Sequence, residues 1–103
     1  MSLNSAPRSL ILCIPRQSSV RRDRIKIVAS AMKKAAAELG LHIEGVHKRD
    51  LLAVSVLLKT HDEENWVYSD WEKDWDEDLI YKTIRNLAWA LNFERVLIAS
   101  AGA

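Results

Sequence analysis

Seven residues, Ile25, Val28, Ala29, Met32, Ala35, Ala36 and Leu39, recur at helical spacing soon after a run of five apolar residues, Leu10-Ile11-Leu12-Cys13-Ile14, that Pro15 ends. A stripe of this kind has to be laid on a partner surface. An unbroken apolar run reads as a central strand covered on both faces. The spacing therefore predicts a strand over 10–14 and an amphipathic helix after it, with Ser19 as its N-cap and Gly40 in the left-handed position that closes it.

The rest of the chain repeats the theme. Leu41 and Ile43 alternate with His42 and Glu44, as in a half-exposed strand. Residues 47–50 suit a hairpin turn. Leu51 to Lys59 carries Val54, Val56 and Leu58 on one face and Ala53, Ser55 and Leu57 on the other, which predicts a second central strand. Residues 60–74 form a polar, acidic stretch. A second helix is expected from Trp75 to Asn92, with Ile80, Ile84, Leu87, Ala88 and Leu91 as its core stripe. Arg95 to Ser100 reads as a last strand.

The predicted order is β-α-β-β-α-β. It implies an α+β, ferredoxin-like arrangement, a four-stranded antiparallel sheet with two helices on one face. The other face of the sheet would be open yet apolar, which favours a second copy as its cover. A thioredoxin-like arrangement is the alternative. It would need the last segment to pair differently, and the chain has no Cys-x-x-Cys pair.

At 103 residues the chain suits one domain, expected over 8–103 after a flexible tail at 1–7. No apolar run approaches the ~18 residues of a membrane span, so no membrane partner is expected. Cys13 is the single cysteine. With no internal disulfide possible, a reducing, cytoplasmic setting is expected. The net charge of +1 hides an asymmetry: residues 1–60 hold eleven Lys and Arg against four Asp and Glu, and residues 61–103 hold four against ten. The two halves can attract each other within one fold or between copies. A pI of 7.9 gives no support to nucleic-acid binding, whose domains usually lie above ~9.

Four candidate sites stand out. Arg16, Gln17, Ser18, Ser19, Arg21, Arg22 and Arg24 precede or begin the first helix, where hydroxyls, arginines and backbone N–H groups can hold an anion. No glycine there lets the backbone approach a phosphate, so a solvated basic loop is the simpler reading. His61, Asp62, Glu63 and Glu64, followed by Asp70, Glu72, Asp74, Asp76, Glu77 and Asp78, cluster oxygen ligands. They match no EF-hand order, and neither metal nor cofactor is expected. Catalysis finds no constellation in the spacing of His42, His47, His61 and Cys13, and Cys13 reads as a small core residue. The tryptophans point to binding: Trp66, Trp71 and Trp75 lie in or beside the acidic stretch, and Trp89 falls about opposite the stripe of the second helix.

The residues thus suggest a small non-enzymatic binding or regulatory module acting as a homodimer. Its partner surface would be built on Trp66, Trp71, Trp75 and Trp89, with a weaker anion site at Arg16, Ser18, Ser19, Arg21 and Arg22. Another protein or a small ligand would be the further partner. The alternative is a small-molecule binder or enzyme of the dimeric ferredoxin-like type, with a pocket near residues 61–75.

Overall fold

The computed structural model describes residues 8–16, 20–60, 63–71 and 74–101, with side chains to residue 91. The elements are β1 (Ser9–Pro15), α1 (Arg22–Leu39), β2 (His42–Arg49), β3 (Ser55–Lys59), β4 (Glu64–Ser69) and α2 (Glu77–Ala101). They form an α+β fold, a four-stranded mixed sheet with two helices. The expected tail at 1–7 lies outside the described residues.

The strand order is β2-β1-β3-β4. β1 pairs with β2 in parallel, because α1 carries the chain back across the sheet between them. β3 is antiparallel to both β1 and β4. The element order is therefore β-α-β-β-β-α, and the expected antiparallel ferredoxin-like sheet is not formed. The cause lies at 95–100. That segment was expected as a strand, but α2 runs through it to Ala101. No Gly or Pro interrupts the chain between Glu77 and Ala101, so the apolar run Val96-Leu97-Ile98 continues the helix. The fourth strand is instead 64–69, and β2 takes the place beside β1. The thioredoxin-like alternative required the last segment to pair differently; here it stays out of the sheet altogether.

Both helices pack on one face. Leu10 and Leu12 of β1 and Val56 and Leu58 of β3 meet Val28, Met32, Ile80 and Ile84 there. Gly40 closes α1 at φ 68°, ψ 34°, its N–H donating to the Ala36 carbonyl, as the spacing predicted. α2 has a different phase from the one expected. Its buried line is Ile80, Ile84 and Ala88, whereas Leu87 is 45% exposed. Asp76 starts this helix by accepting the Leu79 N–H at 2.9 Å on its side chain and the Ile80 N–H at 3.1 Å on its carbonyl.

The open face was expected to leave its apolar residues wet. Ile11, Cys13 and Leu57 on that face are buried, with Leu51 packed against them. Long charged side chains span the sheet beside them. Arg49 of β2 reaches Glu64 of β4, both guanidinium Nη atoms lying 3.4 Å from its carboxylate oxygens. Lys59 of β3 reaches Glu44 of β2, also at 3.4 Å. Ile11, Cys13 and Leu57 are thus dry within a single chain, while Trp66 on the same face is 48% exposed.

Candidate functional site

β1, β2 and β4 all run the same way, so their carboxyl ends and the start of α1 share one end of the sheet. A buried polar network sits there. Its placement begins with a bulge. Trp66 pairs with Leu57, but Val56 pairs with Tyr68, so Val67 is an extra residue in β4. Without it, strict alternation would send Tyr68 to the open face with Trp66. With it, Val67 and Tyr68 both join the core under the helices.

Asp70 follows two residues later, anchored by its N–H to the Val54 carbonyl at 2.8 Å. Arg24, in the first turn of α1, meets it. Arg24 donates from Nε to Oδ2 at 3.0 Å and from Nη2 to Oδ1 at 2.6 Å, and from Nη1 to the Trp75 carbonyl at 2.9 Å. The Tyr68 hydroxyl donates to Asp70 Oδ1. Arg24 and Asp70 are only 5% and 3% exposed. The hydrogen bond to Asp70 raises the Arg24 pKa, holding the guanidinium charged despite burial. Burial, then the bond to Asp70, pushes the Tyr68 phenol well above its ordinary value.

Spacing alone missed this pair, since its members lie 46 residues apart. Arg24 was expected in a solvated basic loop and Asp70 in a cluster of oxygen ligands; the structure instead buries the two against each other. One signal pointed the right way: a cation in the first turn of a helix opposes the helix dipole and calls for a partner. Chemically the network is closed on itself. It ties the start of α1 to Asp70 and Trp75, between β4 and α2.

The remaining basic residues do not converge with Arg24. Arg21, not Ser19, holds the N-cap position, and its side chain makes no cap. It instead donates from Nε to Asp23 at 3.0 Å, which raises its pKa and lowers that of Asp23. Arg16 lies 3.8 Å from Asp50, and Arg22 is exposed. Ser18 and Ser19 lie outside the described residues.

The acidic stretch is likewise shared out. Glu64 binds Arg49, Asp70 binds Arg24, and Asp76 caps α2. Glu77 faces Lys34 at 3.8 Å and Asp78 faces Lys82 at 3.0 Å. Among the described residues no group of three or more His, Cys, Asp and Glu is arranged to hold a metal ion. His61, Asp62 and Glu72 lie outside them.

The four tryptophans occupy separate places. Trp66 is opposite Leu57 on the open face, and Trp71 is exposed just beyond Asp70. Trp75 is partly buried against the core, its ring centroid 6.2 Å from that of Tyr68. Trp89 is 53% exposed on α2. With Leu39, Glu38 and Arg85 it lines an open groove of about 510 Å³ between the end of α1 and the middle of α2. Beside that groove Tyr81 donates its hydroxyl to Glu38, and its ring lies 5.2 Å from the Arg85 guanidinium.

Cys13 is buried mid-strand. Burial raises its thiol pKa, and Glu64 adds to this while Arg49 opposes it. Such a thiol is a poor nucleophile. No helix among the described residues is long and apolar enough to cross a membrane. Set against known proteins, the chain matches no family model, no curated protein and no solved structure.

Proposed function

We propose that the protein is a non-enzymatic binding or regulatory module that works as a homodimer in the cytoplasm and contacts a further protein partner through exposed tryptophan. One observation carries this reading. Trp89 is 53% exposed on a well-packed helix and lines an open groove beside Leu39. Tryptophan is enriched among the residues that anchor interfaces, where its large apolar body and polar N–H both find partners. The polar chemistry supports the same reading, because Arg24, Asp70 and Tyr68 satisfy one another. A buried single thiol suits a reducing compartment.

Two measurements test it. Sedimentation at micromolar concentration should give a dimer, and a clean species at 11.7 kDa overturns the homodimer. Trp89→Ala should keep the melting temperature and lose the partners that co-purify with the unaltered protein from its own cells. Equal recovery of those partners removes Trp89 from the interface.

A further inference from the structure

We infer that the homodimer is seamed by β2, which pairs antiparallel with β2 of a second copy to give one eight-stranded sheet. The inference rests on the homodimer reading and assigns its surface. β2 is an edge strand, and among the described residues nothing pairs with its outer side. It is eight residues long, and Val46 is 59% exposed. An edge of this length is a template for another strand.

The direction of its backbone groups can be read off. The Arg49 carbonyl points toward β1, since it accepts the Arg16 N–H at 3.0 Å. Backbone groups alternate sides along a strand, so those of Gly45 and His47 also face β1 and those of Val46 and Lys48 face outward. Glu44 is the bulged residue, because Leu10 pairs with Ile43 and Ile11 with Gly45. The regular outer edge is therefore 45–49.

A two-fold axis at His47 uses all of that edge. Val46 then stands opposite Lys48 of the second copy, and the two pairs exchange four backbone hydrogen bonds. The faces agree: Val46 and Lys48 lie on the helix side of the sheet, as partners of Leu12 and Ile14. Arg49, which reaches Glu64 in its own chain, falls opposite Gly45 of the second copy, beside a Glu44 that reaches Lys59. Gly45 leaves room for Arg49, since a Cβ there would meet nothing within 4 Å. Parallel pairing of two identical strands would set Glu44 near Glu44 and Lys48 near Lys48. Of the two ways of pairing the strand with its own copy, the charge pattern favours the antiparallel one. So short a seam makes a weak, concentration-dependent dimer.

The test is Val46→Pro, read by sedimentation across a concentration series. The N–H it removes faces away from β1, so the ladder inside the chain stays whole. The expected result is at least a tenfold rise in dimer dissociation constant, with an unchanged melting temperature in dilute solution. Amide exchange on the unaltered protein gives a second reading that does not depend on the variant. The Val46 and Lys48 amides should slow as concentration rises, while those of the other edge, β4, should not. A dimer whose constant is unchanged by Val46→Pro, or whose Val46 and Lys48 amides exchange at one rate at every concentration, overturns the β2 seam and leaves the homodimer standing. A chain that remains monomeric overturns both. Slowing of these amides only when a different protein is added shows that β2 pairs with a foreign strand, and it overturns the seam between copies.

Discussion

Arg24 grips both carboxylate oxygens of Asp70, at 3.0 and 2.6 Å, from a position 46 residues earlier in the chain. Removing either partner leaves the other charge buried and uncompensated. Arg24→Ala and Asp70→Ala should each cost about 3–5 kcal/mol in a denaturant titration. The double variant Arg24→Met/Asp70→Leu should recover much of that loss, since a buried pair pays heavily in desolvation. Single variants within 1 kcal/mol of the parent would mean that water reaches the pair.

The phase of α2 makes a paired prediction. Ile84 is buried and Leu87 is 45% exposed, although both looked like core from their spacing. Ile84→Ala should cost about 2–5 kcal/mol. Leu87→Ala should fall within about half a kcal/mol of the parent. A reversed order would rotate the helix.

Alkaline pH should weaken the fold. The thiol of Cys13 and the phenol of Tyr68 both titrate above their ordinary values in the folded chain. The unfolded chain then loses these protons first, so stability falls as pH rises past the ordinary thiol and phenol values. Below those values the contribution is fully present. Tyr68→Phe should flatten the upper part of the fall, above pH ~10. The measurement is stability against pH by urea titration, and an unchanged slope in Tyr68→Phe counts against a buried phenol.

Cys13 is closed to reagents by the same burial. A thiol-specific reagent at neutral pH should label the folded chain slowly and the urea-unfolded chain at once. Fast labelling in native buffer would mean that the cover over Cys13 is not sealed.

Much of the first half of the fold was legible in the sequence. β1 and α1 stood out because an unbroken apolar run and a clean helical stripe are long, local signals. Gly40 marked the end of α1 for the same reason. The second half was harder. β4 carries acids at and before its start, and its bulge puts Val67 and Tyr68 on one side, so no alternation was left to read. Val96-Leu97-Ile98 has the composition of a strand, and only the lack of a breaker showed that α2 would continue. For the candidate site, the exposure of Trp89 followed from its place on the helical wheel. The Arg24–Asp70 contact could not, because it depends on which strands become neighbours.

The extra residue in β4 gives that strand two ways to be spelled against β3. In the bulged spelling Tyr68 faces Val56. In a straight one Val67 would take that seat, still apolar and still covered, and everything after it would move one step. The apolar pattern alone hardly separates the two. What separates them is the cargo beyond the bulge: the Tyr68 ring, the Ser55–Ser69 hydroxyl bond at 3.1 Å, the Asp70 amide on Val54 and the carboxylate on Arg24. A slip would discard all of these together. The buried ion pair is therefore a stop that decides where the last strand comes to rest, and its loss would free the sheet to settle in a second alignment as well as loosening one corner.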